Sequence, residues 1–220
     1  MTARRAIRSY VIRKGRMTDG QRRALNDDWP RFGLDLEDGL IDPQRRFAVD
    51  RPLTIEIGFG MGDSLFELAH SQPERNFIGI EVHPPGVGHL LIRASEAGLD
   101  NLKLFNADGI DVMRDAIPES CAEQILIFFP DPWHKKKHHK RRLLNRDYFT
   151  LLASRLQPGG IIHIATDWEP YAESIREATL EIESLEPVDP PARPKTKYEQ
   201  RGRCLGHEVT DLAWRKHPTD

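Results

Sequence analysis

The sequence has few cysteines, no long apolar stretch and almost no net charge. Only Cys121 and Cys204 occur among 220 residues, so a disulfide framework is excluded and a reducing compartment, the cytoplasm, is expected. No apolar run approaches the roughly 18 residues of a membrane span, and the Arg-rich start lacks the apolar region of a signal peptide. We therefore expect no membrane partner, and the length fits one domain with its own core.

The net charge of -2 conceals an uneven distribution. Residues 1–24 carry +7, residues 134–142 carry +6 and residues 193–203 carry +4. These three segments total +17, so the remaining residues must carry -19. A single charge run is usually only a solvated surface, but basic charge clustered in this way favours a polyanionic partner.

Short β-branched runs alternate with longer helical patterns from residue 52 onward. The strand candidates are 53–57, 76–82, 102–106, 124–129 and 161–165, and the helix candidates are about 63–71, 86–98, 109–116, 146–156 and 169–183. Strict alternation predicts right-handed crossovers and a mostly parallel sheet with helices on both faces. The expected fold class is α/β, a doubly wound sheet within residues 51–220.

The two ends of the chain are predicted to differ from this domain. Residues 1–50 indicate a basic N-terminal arm and a loop-rich extension, either mobile or wrapped on the domain. Because the arm carries +7 and has weak apolar periodicity, we hypothesise that it orders on its polyanionic partner. Residues 186–195 form a proline-rich spacer unsuited to a central strand, and residues 196–214 are predicted to hold one or two final strands.

A glycine-rich turn follows the first strand of the alternating region. Glu56 precedes Gly58, Gly60 and Gly62, and a helix pattern follows, so the backbone of this turn can approach a ligand. Asp63 stands where a dinucleotide fingerprint requires glycine, which disfavours NAD because a carboxylate repels a pyrophosphate. The pattern E-x-G-x-G-x-G resembles the first motif of the S-adenosylmethionine-dependent methyltransferases with a Rossmann-like sheet.

Two further acids follow the second and third strands. Glu81 can accept hydrogen bonds from both ribose hydroxyls, and Asp108 can accept from an adenine amino group. Parallel strands end at one sheet edge, so Glu56, Glu81 and Asp108 are expected to face one crevice. The alternative is that Asp108 only caps a helix and that the glycines form only a tight turn.

The fourth strand ends in Phe128-Phe129-Pro130-Asp131-Pro132-Trp133. The two prolines predict extended conformations for Phe129 and Asp131, which would present Asp131 and Trp133 at the sheet edge. This resembles the acidic Pro/aromatic motif with which amino-group methyltransferases hold a flat base. The alternative is a plain strand exit in which Trp133 packs into the core.

The +6 segment, residues 134–142, follows this exit directly. Six fixed charges beside a methyl-transfer centre would bring a phosphate backbone to it, whereas a small neutral substrate would gain nothing from them. The segment also holds His134, His138 and His139 but no cysteine or carboxylate, so no metal site is expected.

Several segments, in this order, resemble the bacterial tRNA (guanine-N7)-methyltransferase family. They are RSYVIRKGRMTDGQ, EIGFGMGDSL, NFIGIEVHPPGVGHLL, NADGIDV, FFPDPWHKKKHHKRRL, ATDWEPYAE and TKYEQRG. The similarity extends from about residue 8 to 214, and the PDPW segment with its basic run is more diagnostic than the glycine turn. The resemblance implies a class I methyltransferase that uses S-adenosylmethionine to convert guanine 46, in the variable loop of tRNA, to 7-methylguanosine.

The resemblance also implies roles for individual residues. Its methyl-donor contacts fall on Glu56, Glu81, Asp108 and Asp131, with Gly58 and Gly60 in the turn, and its proposed catalytic residue is Asp131. Its tRNA-contacting run falls on Lys137, His138, His139, Lys140, Arg141 and Arg142. Its substrate contacts fall on Lys135, Asp167, Thr196, Lys197, Tyr198 and Glu199, where Tyr198 replaces the usual Phe and should preserve stacking.

Alternatives to these roles stay open. Asp167 could cap the following helix, and residues 196–199 could be only an edge strand. A noncatalytic RNA-binding protein would use the same basic segments, and a small-molecule methyltransferase would use the same crevice acids. We favour a monomer over a homodimer.

The chemistry itself favours a simple site. Guanine N7 carries a lone pair and no proton, so it can attack a sulfonium methyl group without a general base. Positive charge then moves onto the purine, and a carboxylate such as Asp131 would stabilise it. Asp131 and Glu199 could also accept from guanine N1 and N2, while Phe128 or Tyr198 stacks on the base.

Overall fold

The computed structural model describes residues 8–10, 16–194, 199 and 208–218. The α-helices are α1 Asp19–Asp27, α2 Trp29–Phe32, α3 Pro43–Arg46, α4 Asp63–Ser71, α5 Pro84–Glu96, α6 Gly109–Asp115, α7 Arg146–Arg155 and α8 Glu169–Thr179. The strands are β1 Gly33–Leu34, β2 Leu53–Ile57, β3 Asn76–Ile80, β4 Leu102–Phe105, β5 Ala122–Phe128, β6 Leu156–Thr166, β7 Leu185–Val188 and β8 Thr210–Lys216. Two 3-10 helices span Leu36–Asp38 and Lys136–Arg141.

The described strands form one sheet in the order β1-β4-β3-β2-β5-β6-β8-β7. The first six strands of this order are parallel, and β8 lies antiparallel between β6 and β7. Strand β2 is central, so Glu56 lies between Gly79 of β3 and Leu126 of β5. The predicted α/β, mostly parallel sheet is confirmed.

Both faces of the sheet are covered by helices. Alternate side chains of β5 point to opposite faces: Ile125 and Ile127 join the cluster with α6, α7 and α8, whereas Leu126 and Phe128 join the cluster with α4 and α5. Full burial of one such side chain contributes about 1.5–3 kcal/mol relative to exposure, so both clusters stabilise the sheet. In the described ranges, no helix combines the length and apolarity that crossing a membrane requires.

Strand β2 and helix α4, on either side of the first glycine turn, begin and end where they were predicted to. Other elements differ from the prediction. Strand β6 begins at Leu156, five residues before the predicted start, and runs through Gly159. Strand β7 occupies the start of the segment expected to be a spacer and includes Pro187. It lies at the sheet edge, where a residue without an N–H is tolerated.

The N-terminal region contains more helix than its sequence led us to expect. A capping box starts α1: Gln21 N donates to Thr18 Oγ1 at 3.2 Å, and Thr18 N donates to Gln21 Oε1 at 2.9 Å. Helix α1 packs on α5, and β1 extends the sheet beside β4. Residues 16–50 are thus wrapped on the sheet, while the division of the chain at residue 50 stays a prediction.

Candidate active site

A cavity of about 720 Å³ opens at the carboxyl ends of the central parallel strands. Its walls come from the glycine turn after β2, the end of β3, the start of α5, the turn after β4 and the exit of β5. Ser9 and Tyr10, from the N-terminal segment, also line it. This is the edge at which open α/β sheets bind nucleotides. Of the three acids predicted to face one crevice, Glu81 and Asp108 line this cavity and Glu56 does not.

The glycine turn lines the cavity, and its glycines have positive φ. Gly58 and Gly60 have φ of +78° and +59°, and a Cβ on either would meet no atom within 4 Å, so ligand space adjoins both. On the opposite side the turn is tightly packed. A Cβ on Gly86, in the first turn of α5, would lie 1.9 Å from the carbonyl oxygen of Gly60.

Glu81 fixes the shape of this turn. Its Oε2 accepts from Gly60 N at 2.8 Å and its Oε1 accepts from His83 N at 2.9 Å, and the residue is 6% exposed. The carboxylate thus joins the glycine turn to the start of α5. It lines the cavity, where each oxygen can accept a second hydrogen bond; its contact with a ribose stays a prediction.

Glu56 is a buried acid with an unused acceptor. It is 3% exposed, and its Oε2 has no hydrogen-bond partner among the described residues. Burial, and secondarily the charge of Glu81, raises the pKa of Glu56 to about 8. Glu56 is absent from the cavity lining, so its contact with the methyl donor stays a prediction.

Asp108 caps a helix, which was the alternative role that its sequence position suggested. It is the N-cap of α6, and its Oδ1 accepts from Ile110 N at 3.0 Å. It also lines the cavity, and burial raises its pKa. The capping and ligand-binding roles are compatible because a carboxylate has further acceptor sites.

The exit of β5 differs from the extended chain that was predicted. Phe129 has φ of +52° and Trp133 has φ of +48°, so the extended conformation expected for Phe129 is wrong. Long-range contacts outweigh the local preference: Phe129 N donates to Ala165 O at 2.8 Å, and its ring lies beside the Arg193 guanidinium. Asp131 is exposed and lines the cavity.

The indole of Trp133 joins this exit to the N-terminal segment. It is half-buried, and its Nε1 donates to the carbonyl oxygen of Ser9 at 3.0 Å. Tyr10 follows, and its pKa is raised by burial first and then by the charge of Asp108. The structure therefore places this segment at the cavity mouth, whereas residues 1–7 and 11–15 of the predicted arm lie outside the described residues.

The basic run divides into side chains that face solvent and side chains that brace the exit loop. Lys135, Lys137 and Lys140 are exposed, while His138 and His139 are half-buried. The Arg141 guanidinium lies 4.9 Å from the Trp133 ring centroid. Arg142 is 8% exposed and does not project outward.

The buried side chain of Arg142 stabilises the exit loop after β5. Its Nε donates to Pro132 O at 3.0 Å, and its guanidinium carbon lies 4.8 Å from the Tyr171 ring centroid. An RNA contact by Arg142 stays a prediction, and its described contacts are structural.

The remaining predicted substrate residues are placed in part. Asp167 is half-buried at the end of β6, and Trp168, not Asp167, is the N-cap of α8, so the alternative role of helix cap is wrong. Glu199 is 2% exposed. The predictions for Thr196, Lys197 and Tyr198 lie outside the described residues. In the described part, no group of three His, Cys, Asp or Glu side chains could hold a metal ion.

Sequence reasoning missed a buried polar cluster behind the aromatic exit of β5. Arg193 binds both Glu199 and Asp211, and Asp211 also accepts from His163 Nε2 at 2.9 Å. His163 and Asp211 are 48 residues apart in the chain, and Arg193 lies in a proline-rich stretch whose composition indicates only a spacer. The +4 charge of residues 193–203 was the one available signal.

The fold and the acidic cavity together define a class of protein, the Rossmann-like methyltransferases. Solved structures agree on the fold: the 16S rRNA methyltransferase KamB has a TM-score of 0.58 at 16% identity, covering 80% of this chain and 91% of that one. The tRNA (m1A58) methyltransferase TrmI from Aquifex aeolicus has a TM-score of 0.52 at 19% identity, covering 76% and 63%. At these identities the likeness concerns the fold alone.

Sequence comparisons identify the family. Residues 50–212 match the family model described as "Putative methyltransferase". The tRNA (guanine-N(7)-)-methyltransferase of Methylococcus capsulatus is 50% identical over 220 residues, covering 96% of this chain and 95% of the relative. That of Marinobacter nauticus is 46% identical over 220 residues, covering 96% and 92%. The chain belongs to the tRNA (guanine-N(7)-)-methyltransferase family, and the resemblance inferred from its motifs is confirmed.

Proposed function

We propose that this protein transfers a methyl group from S-adenosylmethionine to N7 of guanine 46 in the variable loop of tRNA. One observation carries the proposal: Asp131 lines the cavity, and the basic run with its 3-10 helix Lys136–Arg141 follows it directly in the chain. Family membership supports the reaction, since relatives about half identical carry this name. The nucleotide position rests on the resemblance of motifs.

Residues of the cavity, and Glu56 just before them in the chain, fit the proposed cofactor. Glu56 Oε2 is a buried acceptor without a partner among the described residues, and the α-ammonium group of S-adenosylmethionine would supply both the donor and the positive charge. Glu81 and Asp108 have acceptor capacity at the cavity wall for ribose and adenine. When bound, the cofactor supplies an electrophilic methyl group.

Asp131 would then serve the methyl transfer without moving a proton. Guanine N7 attacks with its own lone pair, so no residue has to act as a general base. Positive charge spreads onto the purine as N7 is alkylated, and the nearby Asp131 carboxylate stabilises that charge. Phe128, 7% exposed at the end of β5, offers an aromatic face on which the flat base can stack.

The basic run would deliver the RNA backbone to this rim. Lys135, Lys137 and Lys140 are exposed directly after the exit loop, so their ammonium groups can reach phosphates. Arg141 and Arg142 pack on Trp133 and Tyr171 and hold the run in place. A small neutral substrate would not need this arrangement.

The decisive experiment is incubation with labelled S-adenosylmethionine and unmodified tRNA, followed by nucleoside analysis. We expect label in 7-methylguanosine, and a tRNA whose guanine 46 is replaced by adenine should remain unlabelled. Label in N1- or N2-methylguanosine would refute the site chemistry. Label that persists after the replacement would refute the assigned nucleotide.

The rival functions give different results in simple assays. A noncatalytic RNA-binding protein would bind no S-adenosylmethionine in isothermal titration, although the state of Glu56 favours binding. A small-molecule methyltransferase would bind the cofactor but show no salt-dependent affinity for tRNA. We place the reaction in the cytoplasm, and we expect a monomer in sedimentation experiments.

A further inference from the structure

Arg193 is the centre of a buried ionic cluster behind the cavity. Its side chain is 8% exposed. Its Nε and Nη2 donate to the two carboxylate oxygens of Asp211 at 2.6 and 3.1 Å, and its Nη1 donates to Glu199 Oε2 at 2.6 Å. One guanidinium therefore binds two carboxylates from separate parts of the chain, one of them on β8.

The same guanidinium packs against the wall of the cavity. Its central carbon lies 5.1 Å from the ring centroid of Phe128 and 5.6 Å from that of Phe129. Both rings line the cavity, and Phe129 holds a φ of +52°, a conformation that neighbouring contacts must maintain. Arg193 is therefore one residue away from the space where a flat base would lie.

Strand β6 reinforces the cluster from the opposite side. His163 is 1% exposed, its Nε2 donates to Asp211 Oδ1 at 2.9 Å, and its ring meets Phe128 edge to face at 5.3 Å. Burial raises the pKa of Asp211, but hydrogen bonds from His163 and Arg193 outweigh this and lower it to about 2. Asp211 is therefore ionised at all ordinary pH values and holds Arg193 firmly.

Burial of these charges is weak evidence for stability, because desolvation offsets most of their attraction. Apolar residues of similar volume would fill the same space at lower cost. The geometry therefore indicates a role in placing particular groups. The two groups that Arg193 brings together are Glu199 and the Phe128–Phe129 wall.

We propose that Arg193 is a positioning residue that holds Glu199 against the Phe128–Phe129 wall and so fixes where the target base lies. This inference rests on the proposed function, because the base is taken to be guanine. Lysine cannot replace Arg193, since its single ammonium group lacks the planar fork that binds two carboxylates at once. Misplacement of a reacting group by about 1 Å can cost about 100-fold in rate.

The test compares Arg193→Lys with the wild type in single-turnover methylation of tRNA, with cofactor and tRNA saturating. We expect the rate to fall about 10- to 100-fold while the dissociation constant of S-adenosylmethionine changes less than about threefold. Arg176→Lys is the matched control, since Arg176 makes a surface ion pair with Glu169, and it should keep the wild-type rate. A wild-type rate in Arg193→Lys overturns the proposal.

A double-mutant cycle separates positioning from a merely structural role. If Arg193 acts through Glu199, Arg193→Lys combined with Glu199→Gln should lose no more rate than the more damaging single change. Rate factors that multiply, or a Glu199→Gln variant with the wild-type rate, overturn the proposal. A purely structural role would lower the melting temperature and leave the rate of the folded protein unchanged.

A second variant and the wild-type activity cover the remaining outcomes of this test. If Arg193→Lys does not fold, Asp211→Asn loosens the same guanidinium while preserving shape; we expect a smaller rate loss, and a wild-type rate counts against the proposal. If the wild type forms no 7-methylguanosine, the proposed function fails. If it forms 7-methylguanosine and Arg193→Lys is unaffected, only the present inference fails.

Discussion

Asp131 is an exposed carboxylate on the cavity rim, and its position favours a direct electrostatic role in methyl transfer. Asp131→Asn keeps the shape of the side chain and removes the charge. We expect turnover to fall about 100-fold or more, because one preorganised electrostatic contact in an active site is worth about 10²–10³ in rate. Affinity for S-adenosylmethionine should fall much less. Steady-state kinetics and isothermal titration measure the two effects.

Asp147→Asn serves as the control for Asp131→Asn. Asp147 is another exposed aspartate, in the first turn of α7, and does not line the cavity. It should retain wild-type turnover. Wild-type turnover in Asp131→Asn would remove the catalytic assignment.

The raised pKa of Glu56 should make the stability of the cofactor-free protein depend on pH. Burial and Glu81 raise its pKa from 4.5 to about 8, so the folded state retains a proton that the unfolded state releases between these pH values. The stabilisation from Glu56 is therefore complete below about pH 4.5 and is lost as the pH rises through 8. Glu56→Gln cannot ionise, so its melting temperature should rise relative to that of the wild type by several degrees between pH 5 and pH 9.

Thermal unfolding of both proteins at pH 5, 7 and 9 measures this change. Glu74→Gln, at an exposed position, should keep a constant offset from the wild type over the same range. A constant offset for Glu56→Gln as well would show that Glu56 does not retain its proton in the folded state.

Among the helices and strands, the sequence predicted most of the local units and missed the long-range contacts. The bounds of β2 and α4 were predicted as observed, because the apolar period changes from strand to helix at the glycine turn. Helix α1 was missed although Thr18 and Gln21 carry the capping-box signal. The turn of the chain at Phe129 depends on contacts with Ala165 and Arg193, which are distant in the chain, and no local pattern contains them.

The glycine turn and the start of α5 form one packed unit, which predicts different effects for two glycine substitutions. In Gly86→Ala the new Cβ would lie 1.9 Å from Gly60 O, so the turn held by Glu81 must shift. We expect affinity for S-adenosylmethionine to fall about 10-fold or more, equivalent to about 1.4 kcal/mol. Isothermal titration measures the affinity.

Gly98→Ala is the matched control for Gly86→Ala. Gly98 has φ of +66° just after α5, and a Cβ added there would meet no atom within 4 Å. Alanine there should lower stability by about 1–2 kcal/mol through backbone strain and leave cofactor affinity unchanged. Equal cofactor affinities in the two variants would show that the turn and α5 are not coupled.

Across the molecule, the proposed function assigns different ligands to the two signs of charge. Glu81 and Asp108 line the cavity at the carboxyl ends of the strands, where the proposed cofactor is a cation, and the exposed lysines of the basic run follow the β5 exit, where the proposed substrate is a polyanion. The PDPW exit lies between the cavity and the basic run in the chain and contacts both. Asp131 lines the cavity, and Arg142 of the basic run donates a hydrogen bond to the carbonyl oxygen of Pro132. Cofactor binding and RNA binding should therefore respond differently to salt.

Affinity for tRNA should fall steeply with ionic strength, and the slope should depend on the exposed lysines. Each phosphate contact contributes about 0.7–0.9 to the slope of log affinity against log salt, so Lys137→Gln with Lys140→Gln should reduce the slope by about 1.5. Arg45→Gln with Arg114→Gln removes equal charge at residues already paired with Asp42 and Asp111, and it should leave the slope unchanged. Filter binding of tRNA between 50 and 200 mM salt, a range of roughly fourfold, measures both slopes. Equal slopes in the two double variants would show that the basic run does not contact the RNA backbone.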